Sequence, residues 1–318
     1  THIMPAPRQR QLRRPRATKA AEGLAGRVPP RAAGLFKRGA WALWSPLPEV
    51  KMSDTTDTDS VILDATREGV AVLRLNRPER HNAFNPQVIE LLTDHLDTIR
   101  GTPSIRAVLL AATGRSFSAG ADIEWMRFAG DYTHDDNKSD AEALANMLHK
   151  LHGLEALTIA LVNGTAMGGG LGLIAACDVA LCVKSAEFRF SEVRMGLTPA
   201  TISPYVIEAI GPRWARMLFV TGKPFGAELA LQMGLIHGAF DDMNSVMAEA
   251  DKYVDLAFHA APDAVRDAKK LVADVMWREI NGGLRHMTAA RIADRRSSAE
   301  GREGLTAFLE KRKPYWAE

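Results

Sequence analysis

From Val61 onward, short apolar runs alternate with polar turns. Val61–Leu63 and Val70–Leu75 read as two strands joined through Arg67-Glu68-Gly69. Pro78 ends the second strand, and Arg77 to Asn82 makes a polar loop. Pro86 opens a helix to about Ile99, since Val88, Leu91, Leu92, Leu96 and Ile99 share one face and proline suits the first helical turn. Ala107–Ala112 is a continuous apolar run, hence a buried strand, and Thr113-Gly114-Arg115-Ser116 turns after it. Helical spacing returns over Asp140–Leu154, with Leu144, Met147, Leu148 and Leu151 as its stripe. Thr158–Val162 and Val179–Val183 are further buried strands.

This order predicts an α/β core with mostly parallel strands. From about Pro204 the pattern predicts helices only, including Pro262–Trp277, Gly283–Asp294 and Ser298–Lys311. Leu157 to Cys177 carries no charge over 21 residues, long enough for a membrane span. Asn163-Gly164 and the triple glycine interrupt it, so a strand, a tight loop and a buried helix are expected, and no membrane partner.

Composition changes the picture mainly at the N-terminus. The chain has 318 residues, 46% hydrophobic and 25% charged, which suits a globular core. Residues 1–51 carry 11 Lys/Arg against Glu22 and Glu49, so the net charge of +2 conceals an acidic remainder. Rich in Arg, Pro, Ala and Gly, that segment reads as a disordered basic extension. A start codon placed too far upstream, with Met52 the natural beginning, a mitochondrial-type presequence and a nucleic-acid tether all fit it; the first is favoured, and nucleic acid is not the expected partner. Cys177 and Cys182, five apart on an expected strand, would face opposite ways and stay unbridged. A reducing compartment is implied, cytoplasmic or, in a eukaryote, the mitochondrial matrix.

The candidate chemistry lies in two loops and one carboxylate. Phe117-Ser118-Ala119-Gly120-Ala121-Asp122-Ile123 follows a buried strand and precedes a short helix. Asn163 to Gly172 holds Gly168-Gly169-Gly170, which lets backbone approach a ligand closely. Glu192 stands twenty residues after Gly172, between Phe188-Arg189-Phe190 and Met195-Gly196-Leu197. Alone, the glycines would only let a helix pack on a sheet. Together and in this order, the three segments resemble the active-site core of the enoyl-CoA hydratase/isomerase (crotonase) family.

That resemblance covers about Val61 to Trp316. It includes Leu75-Asn76-Arg77-Pro78-Glu79, Thr221-Gly222-Lys223, and Glu303 to Arg312. It implies a spiral of ββα turns followed by a C-terminal helical oligomerisation region. The implied division is 1–51 extension, 52–260 acyl-CoA-binding core and 261–318 trimerisation region, with homotrimers or hexamers. The N–H groups of Ala121 and Gly169 would hold the thioester oxygen, since an enolate needs fixed donors. Glu192 would be the acid/base, its pKa raised by desolvation. Coenzyme A, part of the substrate rather than a cofactor, would set its adenine against Ala119, Asp122 and Ile123, beside Gly168 and Gly172. Its phosphates would meet Arg80, or Lys311 of another subunit. No metal site is expected: His149 and His152 lie three apart on a helix with no third ligand.

Gly172 departs from the family pattern, which often has a first catalytic glutamate there. Three mechanisms survive: Glu192 acts alone in hydration, a group near Tyr132 or Asn137 substitutes, or Glu192 shuttles a proton as in single-glutamate enoyl-CoA isomerases. Ala121 to Met126 and Ser191 to Pro204 resemble bacterial methylglutaconyl-CoA hydratases of leucine breakdown, including the glycine at 172. Their substrate carries a distal carboxylate, for which Arg194 is the candidate partner. The expected activity is therefore hydration of an α,β-unsaturated CoA thioester. Isomerisation is the enzymatic alternative, and a silent CoA- or RNA-binding protein is the alternative of another class.

Overall fold

A computed structural model describes residues 60–317, so the expectations for 1–51 lie outside the described residues. The strands β1 (Val61–Arg67) and β2 (Val70–Leu75) pair antiparallel about Gly69, whose φ of +76° a side chain would resist. Helix α1 (Pro86–Arg100) is capped by Asn85, whose side chain accepts the Val88 N–H at 2.9 Å. It buries the face of Val88, Ile89, Leu92, Leu96 and Ile99.

Three ββα turns follow. The first comprises β3 (Ala107–Ala112), β4 (Ser116–Ser118) and the helices α2 (Ile123–Ala129) and α3 (His134–His152). The second is β5 (Leu157–Val162), β6 (Thr165–Met167) and α4 (Gly169–Ala175). The third is β7 (Val179–Val183), β8 (Glu187–Arg189), a 3-10 turn at Glu192–Met195 and α5 (Ser203–Thr221). Each turn gives its first strand to a six-stranded sheet and its second to a four-stranded one. The large sheet runs β1-β2-β3-β5-β7 and ends on β10 (Gly238–Phe240); the small one runs β4-β6-β8 and ends on β9 (Phe225–Gly226). All pairs are parallel except β1–β2 and β8–β9. This is the expected spiral of ββα turns.

The strands of the small sheet are two or three residues long and form few ladder bonds. Phe117, Phe188 and Phe190 lie fully buried behind them, and Phe188 stacks on Phe225 at 5.5 Å. Burying each ring contributes about 1.5–3 kcal/mol, which makes up for short ladders.

Two expectations fail. The segment after Pro204 is not helices only, because β9 and β10 return to the two sheets between α5, α6 (Ala227–Gln232) and α7 (Met243–His259). Cys177 lies before β7 rather than on it; Cys177 and Cys182 are both free thiols. The helices α8 (Pro262–Val275), α9 (Gly282–Ser297) and α10 (Ala299–Glu310) follow, then a 3-10 turn at Tyr315–Ala317. Arg106, at the entry to β3, ties the end of α7 to the sheet: its guanidinium donates to the carbonyls of Ala257 and Ala260 and stacks on Phe258 at 4.6 Å. Among the described residues no helix is long and apolar enough to cross a membrane. The charge-free run Leu157 to Cys177 instead forms β5, β6 and α4.

Candidate active site

The strands β4, β6 and β8 are parallel neighbours, so the loops that leave their carboxyl ends emerge side by side. Those loops are the segment after Ser118, Gly168–Gly169, and Phe190 to Glu192. Glycines let them close on each other. A Cβ on Gly120 (φ +85°) would stand 2.9 Å from the Met167 carbonyl oxygen, and one on Gly170 would stand 2.8 Å from Ser118 Cβ. The two loops expected to act together are thus in backbone contact.

Both expected N–H donors are left over by the local backbone. Phe84 donates to Gly120 O and accepts from Asp122 N, each at 2.7 Å, which brackets Ala121 and leaves its own N–H outside the pair. Gly169 is the first residue of α4, where an N–H has no intrahelical acceptor and the helix dipole favours negative charge. Phe84 also sets the position of Gly169, because its ring lies 2.8 Å from where a Cβ on that glycine would stand.

Glu192 closes the group. A Cβ on Gly168 would stand 3.1 Å from Glu192 Oε1, so the carboxylate rests against the backbone that precedes Gly169. Its Oε2 is shut off from solvent and has no hydrogen-bond partner among the described residues. Burial pushes the Glu192 carboxyl above the ordinary glutamate range, and a hydrogen bond from its own backbone opposes this only in part. A carboxyl group so placed holds a proton closer to neutrality and has an oxygen free to deliver it.

Gly172 lies one turn further into α4 and is filled from outside. Ile202 Cγ2 sits 2.4 Å from the position of a Cβ there, and Leu148 Cδ1 sits 3.4 Å away. Ile202 is buried at the start of α5. A carboxylate at 172 has no room in this packing. Of the two residues considered as substitutes, Tyr132 is exposed and the Asn137 amide donates to the carbonyls of Tyr132 and Thr133.

The other expected contacts spread outward. Ala119 donates its N–H to His81 O, and Ile123 is 71% exposed beside it. Asp122 is buried, caps α2 through the Glu124 N–H at 3.0 Å and pairs with Arg77 at 3.2 Å. Its carboxylate therefore holds the loop together. Arg80 is exposed and 3.5 Å from Glu124. Arg194 is exposed, its Nε 3.4 Å from the position of a Cβ on Gly222. Lys311 ends α10 in the left-handed region with φ 56°.

Sequence reasoning passed over the residues that hold this loop in place. Asn82, 2% exposed, donates to Thr113 O and Ser116 O and accepts from Arg77 N, each at 2.8 Å. Ser118 Oγ donates to Asn82 O and accepts from Gly120 N. Asn82 and His81 both have positive φ, 54° and 52°. An asparagine in a polar loop is a known marker of that conformation, and it was the signal available.

Comparison with known proteins gives the family. The model of the enoyl-CoA hydratase/isomerase family matches residues 65–318. The chain is 33% identical to a hydroxycinnamoyl-CoA hydratase-lyase of Pseudomonas fluorescens, over 76% of this chain and 90% of that one. Among solved structures it resembles an enoyl-CoA hydratase from Shewanella pealeana, with 36% identity, TM-score 0.78, and coverage of 82% of this chain and 100% of that one. AtuE of Pseudomonas aeruginosa is similar at 32% identity and TM-score 0.78, over 81% and 100% of the two chains.

Proposed function

The chain belongs to the enoyl-CoA hydratase/isomerase family, and on that premise we propose that it adds water across an α,β-unsaturated CoA thioester, with a branched dicarboxylic acyl group of the methylglutaconyl type. The observation that carries this reading is the half-buried Glu192 carboxylate, its Oε2 shut off from solvent, against Gly168, one residue before the Gly169 N–H. The N–H groups of Ala121 and Gly169 bind the thioester oxygen. Addition of water at the β-carbon pushes the double-bond electrons onto that oxygen, and the enolate forms where fixed donors meet its charge. Glu192, whose burial favours its protonated form, then delivers a proton to the α-carbon.

The dicarboxylic substrate rests on the resemblance of Ser191 to Pro204, with Arg194 as the partner of the distal carboxylate. Coenzyme A runs past Ala119, Asp122, Ile123 and Gly168, with Arg80 and a neighbouring subunit's Lys311 near its phosphates. Trp277, Ile280, Phe308 and Leu309 are all more than three-quarters exposed, which supports assembly through 261–318 into trimers or paired trimers around the 52–260 core.

One observation favours a second reading. With Ile202 in the space beside Gly172, Glu192 has no carboxylate across from it at that position, as a Δ3,Δ2-enoyl-CoA isomerase would require. Product mass separates the two. Methylglutaconyl-CoA, linear 2-enoyl-CoA and 3-enoyl-CoA are offered to the enzyme and to Glu192→Gln. A gain of one water on the first substrate, absent in the variant, is expected; double-bond migration without mass change would instead make it an isomerase.

A further inference from the structure

Hydration needs a group that takes a proton from water, and position 172 cannot supply it. Another carboxylate stands on the helix that packs beside that position. In α3 and the loop before it, residues 131–139 and 141–143 are exposed, while Asp140 between them is drawn out of solvent. It occupies the first place of the stripe that continues through Leu144, Met147, Leu148 and Leu151, where an apolar residue would serve packing better. Leu148 of that stripe touches the space beside Gly172. Leu144 and Asp140 follow on the same side of the helix at successive four-residue steps.

The second element facing Asp140 is α2, which begins directly after the Ala121 loop. Trp125, in its first turn, packs on the core and lies near enough to the Asp140 carboxylate to favour its charged form. Its indole N–H is buried and has no acceptor within hydrogen-bond distance. Asp140 makes no ion pair with any described residue. A buried donor and a carboxylate side by side suit a group that accepts from one and donates to the other, which is what water does.

We propose that Asp140, oriented by Trp125, is the second carboxylate of the site and the base that deprotonates the attacking water. The proton of water passes to Asp140, the hydroxide oxygen bonds to the β-carbon, and the double-bond electrons move into the thioester carbonyl. Glu192 then gives its proton to the α-carbon. Exchange with solvent resets both carboxyls, so atoms and charge balance over the cycle. Burial raises the Asp140 pKa and so strengthens it as a base, while the nearby Trp125 N–H pulls the other way and favours the ionised form that can accept a proton. Trp125 is a positioning residue.

The assignment rests on the hydratase reading and is tested beside it, by following hydration and the exchange of the α-proton of a saturated acyl-CoA in D2O. Asp140→Asn is expected to lower kcat for hydration at least about 100-fold with KM within about threefold, while α-proton exchange stays within about threefold. Glu192→Gln loses both. Trp125→Phe removes the donor, so the acid limb of the kcat profile moves to higher pH, which loss of packing alone would not do. Hydration within threefold of wild type in Asp140→Asn overturns the assignment alone, as does a change confined to acyl-chain preference. Loss of exchange together with hydration, at an unchanged melting temperature, also overturns it. A wild-type enzyme that exchanges but hydrates nothing overturns the hydratase reading, and this assignment with it.

Discussion

Gly168 and Gly172 stand four residues apart around the start of one short helix, and each lacks a side chain for a different reason. At Gly168 the backbone has φ 48° and ψ −117°, a conformation L-residues avoid, and the space beside it belongs to the Glu192 carboxylate. At Gly172 the backbone is ordinary helix, and the space belongs to Ile202. The first glycine makes room for the carboxylate proposed as acid/base, and the second for packing. The same residue type in one motif therefore carries two messages, and only the neighbour that fills the gap tells them apart.

The comparison breaks most visibly through Glu192, the group that Gly168 admits. Glu192→Gln is expected to lower turnover by about 10²–10⁴-fold while thioester binding persists. Steady-state rates and a binding titration read this; turnover within tenfold of wild type would remove Glu192 from its role. Gly168→Ala comes next. Its backbone must leave the positive-φ region, which carries the Gly169 N–H with it, and kcat should fall about 10²–10³-fold. An alanine variant of undiminished activity would mean that this backbone does not hold the oxyanion.

At Gly172 the expected loss is in stability. Gly172→Ala forces a methyl against Ile202 at a cost of about 1–3 kcal/mol, and Ile202→Ala opens a cavity costing about 2–5 kcal/mol. The double variant should recover part of the sum, a coupling of about 0.5–3 kcal/mol in denaturant titrations. Strict additivity would show that the two residues do not share the space.

The smallest effect joins the two regions. Glu192 has a folded-state pKa above its unfolded one, so the stability tied to its proton is present below the ordinary glutamate range and is lost as pH rises through the raised value. Glu192→Gln should therefore be more stable than wild type near neutral pH, by about 1 kcal/mol for one unsatisfied buried oxygen, with the gap closing in acid. Melting curves across that range check it, and a variant less stable than wild type at pH 7 would contradict it.

How far the sequence revealed this follows from element length. The runs Val70–Leu75, Ala107–Ala112 and Val179–Val183 are long enough for their apolar pattern to specify buried strands, and α1 and α3 show their stripes directly. The strands of the small sheet are not visible in this way, because a three-residue strand such as Thr165–Met167 has no period and reads as a loop beside the triple glycine. β10 escaped for the same reason, although its pairing with β7 completes the large sheet. Glu192 and the two loops were recognisable through their resemblance to the active-site segments of a known family. Ile202 and Phe84 were not, since each acts by filling a site distant in the chain. Asp140 lay at the edge of a predicted helix, where an aspartate ordinarily signals a helix start.

The central claim is that these loops stabilise an enolate beside Glu192. It is tested most directly by incubating a saturated acyl-CoA with the enzyme in D2O and following deuterium uptake at the α-carbon by mass. Uptake by wild type that is lost in Glu192→Gln is the predicted result. No uptake in wild type, or equal uptake in both proteins, would contradict the account.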